Sequence, residues 1–328
     1  MPHDADSPSP FHAGEQEMQR RAGKREMAEK LGRRMIRPFM PDQHREFFAQ
    51  LPFLVAGAVD ADGWPWASLL SGAPGFAVSP DPEHLQVTLN RTAEDPVQAA
   101  IREGAPLGLL GIELHSRRRN RLNGRVTSAG RNGFNVRVDQ SFGNCPQYIQ
   151  ERDLTPANDV SPAAPQTFTR LLPEHSARIA QADTFFVASH IPAAAAPERE
   201  GVDVSHRGGR PGFVRVAGNT LTIPDFRGNN HFNTLGNFLL NPRAGLAFPD
   251  FETGSLLLLT GTVELLAEDH PELAGFEGAQ RGWQVTLHKG LWLEAALPWR
   301  TGPGAFAPQT LRTGTWAEAE ARTPAPGP

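Results

Sequence analysis

One stretch in the second half of the chain repeats a stretch in the first half. PWASLLSGAPGF (65–76) aligns with VDVSHRGGRPGF (202–213) at an offset of 137 residues, and the same offset recurs further along the chain. The pairs that match at this offset are Ser68 and Ser205, Gly72 and Gly209, Pro74 and Pro211, Gly75 and Gly212, Phe76 and Phe213, Gly108 and Gly245, and Gly124 and Gly261. Chance similarity between turns rich in Gly and Pro is the alternative, but duplication of one unit explains all the pairs. The repeat therefore predicts two copies of one fold.

The repeated unit is rich in strand signals. LPFLVAGAV and PWASLLSG flank the turn DADG, and Asp-Gly between apolar segments is typical of a β-hairpin. Further strand patterns follow, interrupted by one short helix near 95–102 in which Pro96 suits the first turn. The 32 Gly and 30 Pro residues also favour short strands joined by turns. We therefore predict a mainly β protein, a β-barrel with a few helices, present twice in tandem.

Changes of pattern along the chain predict the domain boundaries. Residues 1–40 form an N-terminal tail and one amphipathic helix over 15–37, in which the interleaved Glu residues favour a solvated face over a nucleic-acid surface. The Pro- and Ala-rich stretch at 155–166 is typical of a linker. The five predicted segments are the tail and helix (1–40), the first barrel (41–154), the linker (155–178), the second barrel (179–300) and a C-terminal tail (301–328).

Composition excludes several classes of partner. The net charge of −4 provides no overall field for nucleic acid or an anionic membrane, so anion binding must be local. Cys145 is the only cysteine, which excludes an intrachain disulfide and a cysteine-based metal cluster. The eleven His residues form no HExxH motif, and we expect no metal. With no secretory signal and no apolar run long enough to span a bilayer, we expect a cytoplasmic protein.

The segment Ser205-His206-Arg207-Gly208 is the first candidate site. It follows a strand pattern and leads into a turn. Glycine allows a ligand to approach the backbone closely, and the guanidinium of Arg207 offers paired donors for a phosphate. His206 is the only side chain that we name as a candidate proton donor, and a histidine that bonds only to backbone is the alternative.

The second candidate site is PDFRGNNHFNTLGNFLLNP (224–242). Asn229 or Asn230 is expected to cap a helix with an apolar face, and Arg227 stands just before that cap. Free N–H groups and the dipole at a helix start both favour an anion such as a phosphate. The alternative is that these polar residues only cap and solubilise a surface helix. The remaining polar residues on this helix are Asn233, Thr234 and Asn237.

The first copy offers a weaker anion site. Its matching segment, NRTAEDPVQAAI, places Glu94 and Asp95 near Arg91, and these carboxylates would repel a phosphate. The basic cluster SRRRNR (116–121) could clamp a phosphate, but we interpret it as a solvated turn. If only one copy keeps an anion site, the second copy is therefore the better candidate.

These segments together resemble the pyridoxamine 5′-phosphate oxidase-like family of FMN-binding split β-barrels. The resemblance covers about residues 41–300. It is carried by QSFGNCPQYI (140–149), by 202–216, by LTIPDFRGNNHFNTLGNFLLNPRAGLAF (221–248) and by the strand that contains Gly261. The chain lacks an RLHDR-like C-terminal segment, and it has Thr253-Gly254 where an Arg-Gln pair is expected. Pyridoxamine phosphate is therefore not the expected substrate.

The resemblance implies two tandem split β-barrels with FMN in a cleft between barrels, paired either within one chain as a pseudo-dimer or as a homodimer. It implies an oxidoreductase in which hydride passes through the flavin N5 to or from a small-molecule redox substrate, with NADH or NADPH as a candidate partner. A haem-binding split barrel with His206 or His231 as axial ligand is one alternative, and a non-catalytic flavin-binding module is another. The FMN-binding residues implied are Ser205, Arg207, Gly208, Arg227, Asn229, Asn230, Asn233, Thr234 and Asn237.

Overall fold

The structure is a computed structural model that describes residues 8–157, 163–196, 199–267 and 269–322. The ends of the two predicted tails (1–7 and 323–328) and part of the predicted linker (158–162) lie outside the described residues. The described chain is mostly strand and contains two large antiparallel sheets. The mainly β prediction is therefore confirmed.

Two helices, rather than the single one predicted, precede the first sheet. They are α1 (Ala13–Arg21) and α2 (Arg25–Met35), and Gly23 between them has φ of +62°. A residue in the left-handed conformation ends a helix, and glycine adopts it most readily. The periodicity of 15–37 was therefore interpreted wrongly, because Ala22 and Met27 are five residues apart and the apolar residues do not form one face. Met18 is buried, whereas Met27, Leu31 and Met35 are exposed.

The first half of the molecule is one open sheet of seven strands with two helices. The strand order is β2-β1-β5-β6-β7-β4-β3. The elements are α3 (Asp42–Gln50), β1 (Phe53–Val59), β2 (Pro65–Ser71), β3 (Ala77–Asp81), β4 (His84–Thr88), α4 (Pro96–Ala100), β5 (Pro106–Glu113), β6 (Arg118–Gly130) and β7 (Gly133–Gly143).

The second half repeats this arrangement after two short strands. Its main strand order is β11-β10-β14-β15-β16-β13-β12, and β9 adds to β16. The elements are β8 (Thr155–Pro156), β9 (Gln166–Phe168), α5 (Pro173–Gln181), β10 (Thr184–Ile191), β11 (Gly201–Gly208), β12 (Arg215–Ala217), β13 (Thr220–Phe226), α6 (Asn233–Leu240), β14 (Arg243–Asp250), β15 (Ser255–Leu266), β16 (Ala279–Leu293), β17 (Trp299–Arg300) and α7 (Trp316–Arg322).

The strands of the two sheets correspond one to one in chain order. β1, β2, β5 and β6 of the first sheet take the places of β10, β11, β14 and β15 in the second. The register also agrees, because β6 and β15 shift register at Gly124 and at Gly261 respectively, the pair that the repeat aligns. The residues paired by the sequence repeat thus occupy equivalent positions, while their origin by duplication stays a prediction.

Each half begins with a helix that the sequence analysis did not predict. The N–H of Gly75 donates to the carbonyl of Ala49 in α3, and the N–H of Gly212 donates to that of Ala180 in α5, both at 2.7 Å. α5 begins within the range predicted as linker and ends three residues beyond it, at Gln181. The turns G-x-P-G-F in the two halves therefore anchor equivalent helices.

The two sheets pack against each other with approximate two-fold symmetry. β5 approaches β11, and β14 approaches β2, which is the symmetry-related pair. A Cβ added at Gly108 of β5 would lie 2.7 Å from the carbonyl oxygen of Val202, and one added at Gly245 of β14 would lie 2.5 Å from that of Pro65. Glycine at both positions permits this backbone contact. The halves of one chain thus form an internal pair.

The chain beyond β16 packs back onto the second half. Trp316 of α7 is buried, and its indole N–H donates to the carbonyl of Phe213 at 2.9 Å. Across the described part of the chain, every helix is too short or too polar to cross a bilayer.

Candidate functional site

A polar pocket lies between the two halves of the molecule. β6 of the first half forms one wall, and β11, β13 and the start of α6 of the second half form the others. Its volume is about 120 Å³, enough for an anionic group such as a phosphate, so the rest of a larger ligand would extend beyond it. The charged and hydrogen-bonding side chains that line it include Arg119, Arg121, Ser205, His206, Arg207, Asp225, Asn230, Asn233, Thr234 and Arg281.

The pocket contains most of the residues predicted from sequence. The predicted residues that line it are Ser205, His206, Arg207, Gly208, Asn229, Asn230, Asn233 and Thr234. Arg227 is exposed and does not line the pocket. Asn237 lies on the other side of α6, where its Oδ1 is 2.8 Å from His12 Nε2 and its Nδ2 donates to Ser189 Oγ at 2.9 Å. The structure thus separates Arg227 and Asn237 from the other candidates.

The start of α6 has no side-chain cap. Phe232 is the N-cap residue, with φ of +61°, and no side chain accepts a hydrogen bond there. The predicted cap is therefore wrong, because Asn229 instead accepts the N–H of His231 at 3.1 Å and Asn230 has φ of +62° within the preceding turn. The first N–H groups of a helix have no partner within the helix and need an acceptor from elsewhere.

The corresponding helix of the first half is capped by a carboxylate. Asp95 Oδ1 accepts the N–H groups of Val97 and Gln98 at 2.8 and 3.2 Å, and its Oδ2 accepts Ser68 Oγ–H at 2.5 Å. Ser68 is the repeat partner of Ser205, which lies beside the uncapped helix. Asp95 therefore supplies carboxyl oxygens as acceptors to the helix start in one half, whereas the helix start of the other half has no side-chain acceptor among the described residues. Burial raises the pKa of Asp95.

Two arginines of the first half complete the pocket. Arg119 and Arg121 lie two residues apart in β6, so their side chains leave the same face of the strand. They belong to the cluster 116–121, which was interpreted as a solvated turn, and this interpretation is wrong for both. The repeat itself contained the signal, because it places Arg119 and Arg121 on Leu256 and Leu258, which are buried.

The symmetry-related cleft has no charged side chain in its described lining, although Ser71, Thr88 and Asn90 contribute polar groups. At the offset of 137 residues, His206 and Arg207 correspond to Leu69 and Leu70, which are buried. Leu256 and Leu258 correspond in the same way to Arg119 and Arg121. The imidazole and the guanidiniums that β6 and β11 contribute to the pocket are therefore all replaced by leucine side chains at the related positions. Only one of the two related clefts therefore has the chemistry to bind an anion.

Cations outnumber carboxylates in the pocket lining. Arg207 and Arg281 both pair with Asp225, and Arg281 Nη1 lies 3.2 Å from Asp225 Oδ2. Arg121 pairs with Asp203 at 3.0 Å. Four arginines thus line the pocket against one lining carboxylate among the described residues. Such a lining favours an anionic ligand.

Arg119 is the guanidinium best placed to bind such a ligand. Its Nε donates to the carbonyl of Cys145 at 2.8 Å, and no described carboxylate lies within ion-pair distance of it. Burial, together with the neighbouring Arg121 and Arg207, lowers the pKa of Arg119 to about 9. Because unpaired buried positive charge is costly, an anion bound here would relieve this cost.

His206 is a buried, neutral imidazole. Burial, and then the charges of Arg119, Arg207 and Arg152, lower its pKa well below the ordinary value. Both ring nitrogens lack a hydrogen-bond partner among the described residues, and Phe186 packs edge-on against the ring with centroids 5.7 Å apart. His206 can therefore donate or accept a hydrogen bond, but its low pKa disfavours the role of proton donor at neutral pH.

Several buried histidines predict loss of stability in acid. Burial lowers the pKa of His12, His190 and His231 to about 4, whereas an unfolded histidine titrates near 6.5. Below pH 6.5 the unfolded chain takes up protons that the folded chain excludes, so stability falls from pH 6.5 towards 4 by up to about 1.4 kcal/mol per pH unit for each group.

Urea unfolding at several pH values measures this loss of stability. His190→Gln should reduce it, and substitution of the exposed His115 should not; an equal effect of both would contradict the assignment.

The described residues contain no group of three His, Cys, Asp or Glu side chains placed to hold a metal ion. His231 packs between Phe11 and Phe142, with ring centroids 5.3 and 5.8 Å away, and does not line the pocket. Of the two candidate haem ligands, His206 lines the pocket and His231 does not.

Comparisons with known proteins leave the family open. No family model matches the chain, and no curated protein matches it. A candidate pyridoxamine 5′-phosphate oxidase structure from Lactobacillus delbrueckii is 20% identical, with 32% of this chain and 95% of that chain covered and a TM-score of 0.26. A single-site variant of HupZ from Group A Streptococcus is 11% identical over 31% and 97%, with a TM-score of 0.25. A candidate 5-nitroimidazole resistance protein from Bacteroides thetaiotaomicron is 12% identical over 43% and 93%, with a TM-score of 0.26. TM-scores this low do not establish a shared fold, so membership of the FMN-binding split-barrel family stays a prediction from the sequence.

Proposed function

We propose that the chain is a cytoplasmic FMN-binding oxidoreductase whose pocket between the halves holds the phosphate of the cofactor. The observation that carries this proposal is the difference between the two related helices. The carboxyl group of Asp95 accepts the first N–H groups of α4, whereas the start of α6 has no side-chain cap. The phosphate of FMN takes the place in the second half that the carboxylate of Asp95 takes in the first.

The donors around this helix start suit a phosphate. Thr234 Oγ1 donates to Ser205 Oγ at 3.1 Å, Ser205 Oγ donates to Asp203 at 3.3 Å, and rotation of either hydroxyl would direct its proton to a phosphate. Arg119 and Arg207 are guanidiniums that can each offer two N–H groups to one anion. The N–H groups of the first turn of α6 add to them. Asn230 and Asn233 line the same pocket and provide further amide donors.

Aromatic side chains border the pocket on the second-half side. Tyr148 and Phe226 pack together with ring centroids 5.4 Å apart, and Phe232 also lines the pocket. Such surfaces favour contact with a flat conjugated ring. FMN supplies hydride transfer when bound, so the protein needs to bind and orient it and to admit a small-molecule redox substrate, with NADH or NADPH as electron donor. The pairing of the two halves supplies the cleft within one chain, and a homodimer is not required.

The phosphate assignment predicts discrimination between FMN and riboflavin. A hydrogen bond to a charged group contributes about 1.5–3 kcal/mol, so FMN should bind roughly 10- to 100-fold more tightly than riboflavin, which lacks the phosphate. Quenching of flavin fluorescence on titration with the purified chain measures both Kd values. Equal affinity for the two compounds would contradict a phosphate site, and inorganic phosphate should compete with FMN.

His206 favours haem binding as a second candidate function. It is neutral, it lines the pocket, and neither ring nitrogen has a partner among the described residues, so a lone pair is free to bind iron. The absorption spectrum of the purified protein distinguishes the two ligands. A double band in the near-ultraviolet and blue supports FMN, and a Soret band supports haem.

Turnover separates an enzyme from a flavin-binding module. Under anaerobic conditions, NADH or NADPH should bleach the flavin band of the FMN-loaded chain, and a small acceptor should restore it. A chain that binds FMN but shows neither change across a broad panel of donors and acceptors is a carrier of the cofactor.

A further inference from the structure

We propose that Glu15 of helix α1 is a positioning residue for this pocket, and that ionisation of its carboxyl group weakens the binding of an anionic ligand. The proposal rests on the proposed ligand site and adds to it a dependence on the N-terminal helix. Neither α1 nor Glu15 lines that pocket, so the action is exerted through α6 and β6.

α1 crosses α6 at very close range. A Cβ added at Gly14 would lie 2.1 Å from the carbonyl oxygen of Gly236, and one added at Gly236 would lie 2.6 Å from the backbone nitrogen of Glu15. Only glycine fits at both positions, because any side chain would overlap with the backbone of the other helix. The crossing therefore brings the start of α1 directly onto the first turn of α6.

Three side chains from the α1 segment hold α6 and the loop before it. His12 Nε2 lies 2.8 Å from Asn237 Oδ1, and Gln19 Nε2 donates to the carbonyl of His231 at 3.1 Å. Glu15 Oε1 accepts a hydrogen bond from Nδ2 of Asn233, the first residue of α6. All three side chains belong to buried residues. The segment is therefore fixed to the part of the chain that forms the pocket.

A chain of hydrogen bonds continues from Glu15 into the pocket. Asn233 Oδ1 accepts from Arg121 Nη1 at 2.8 Å, and Arg121 Nη2 donates to Ser205 Oγ at 2.5 Å. Thr234 Oγ1 donates to the same Ser205 Oγ at 3.1 Å. The orientation of Ser205 and Thr234, which we assign to the phosphate, thus depends on Asn233 and Arg121. Glu15 holds Asn233 directly, and Arg121 is also held by its ion pair with Asp203 at 3.0 Å.

Charged groups face Glu15 from each neighbouring element. Arg121 of β6 and Asp203 of β11 are the nearest, and on its own segment the imidazole of His12 lies 3.3 Å away. Arg199 acts on His12 from the loop before β11. In the cleft beyond Glu15, Arg125 pairs with Glu200 at 2.8 Å and Arg137 pairs with Asp139 at 3.1 Å. The other charged residues that line this cleft are Arg37, Glu83 and Arg199.

These surroundings make ionisation of Glu15 matter near neutral pH. Burial raises the pKa of Glu15 to about 8, although hydrogen bonds from the N–H of His12 and from Asn233 act in the opposite direction. Burial lowers the pKa of His12 to about 4, so both groups are mostly uncharged at pH 7. Above pH 8 a carboxylate appears beside Arg121. It competes with Ser205 and the ligand for the guanidinium and repels a bound phosphate.

Titrations of FMN against pH test the proposal, with flavin fluorescence as the readout and a range of pH 7 to 9. This range lies above the second pKa of a phosphate monoester, about 6, so the charge of the ligand stays constant. The wild-type Kd should rise about tenfold by pH 9, one unit above the pKa of Glu15. Glu15→Gln, which resembles the protonated acid, should bind as tightly as wild type at pH 7 and change by less than about twofold up to pH 9.

A matched control lies on the same helix. Glu17 of α1 is partly exposed, pairs with Arg20 and Arg21 and makes no hydrogen bond to a described residue of α6, so Glu17→Gln should keep the wild-type pH profile. Arg119, whose pKa is about 9, is still present in Glu15→Gln. Any change of Kd with pH that remains in this variant is therefore due to Arg119 or another group and not to residue 15. A pH profile of Glu15→Gln that follows wild type would overturn the proposal.

Hydrogen exchange keeps the test independent of FMN binding. Amides of residues 230–236 should exchange faster in wild type at pH 9 than at pH 7, after correction for the intrinsic pH effect, and this change should be absent in Glu15→Gln. If wild type fails to bind FMN at any pH, the proposed function is wrong, and the exchange result alone decides the role of Glu15. If FMN binds but neither readout responds to Glu15→Gln, the positioning role is wrong and the proposed function stands.

Discussion

Replacing Arg119 with leucine should raise the Kd for FMN about 10- to 100-fold while leaving the chain folded. Arg119 has no carboxylate partner among the described residues, so its removal leaves no buried acid unpaired. Leucine is also the residue that the fold already accepts at the related position, where Leu256 is buried. Unfolding in urea should therefore show unchanged or slightly higher stability, and flavin fluorescence should show the loss of affinity.

Arg227 is the matched control for this substitution. It was predicted as a phosphate ligand, but its side chain is exposed outside the pocket. Arg227→Leu should bind FMN within about twofold of wild type, since a surface charge beyond the site contributes little. The reverse result, with affinity lost in Arg227→Leu and kept in Arg119→Leu, would move the phosphate out of the pocket.

Breaking the buried ion pair between the two halves should have the largest effect on stability. Arg121 of β6 and Asp203 of β11 lie 3.0 Å apart, and both side chains are only 5% exposed. Removing one partner of a buried pair costs about 3–5 kcal/mol, because the other charge stays buried without compensation. Arg121→Leu should therefore lower the free energy of unfolding by this amount, measured by urea denaturation at pH 7.

Two further variants identify the cause of this loss. Arg137 pairs with Asp139 at 3.1 Å on the surface, and Arg137→Leu should change stability by less than about 0.5 kcal/mol. Adding Asp203→Leu to Arg121→Leu should restore part of the lost stability, since an apolar pair often replaces a buried ion pair without cost. If the double variant is as unstable as the sum of the single ones, the two charges do not act as a pair.

The repeat predicted much of the fold because two similar sequences adopt similar folds, so residues that match between the copies occupy equivalent positions. The matches at Gly108/Gly245 and Gly124/Gly261 correspond to equivalent places in two sheets of the same order. The breaks between helices were harder to predict. The apolar residues on either side of Gly23 are spaced by four, but Ala22 and Met27 are five residues apart, and this small change of phase marks the turn between α1 and α2.

The pocket was only half predictable from local sequence. Ser205, Arg207 and Thr234 come from segments whose strand and helix patterns indicate a ligand site. Arg119 and Arg121 enter from the other half, through packing that no local pattern reveals. Comparing the two copies residue by residue could have identified them, because a buried leucine in one copy and an arginine in the other indicate a changed role.

The most direct test is the number of FMN molecules bound per chain, measured by isothermal titration calorimetry on the purified protein. One cleft has arginines and an uncapped helix start, whereas its symmetry mate has leucines and the carboxylate of Asp95. We therefore predict one FMN per chain in wild type and a greatly weakened site in Arg119→Leu. Two molecules per chain would contradict the asymmetry of the clefts, and no binding at all would contradict the proposed function.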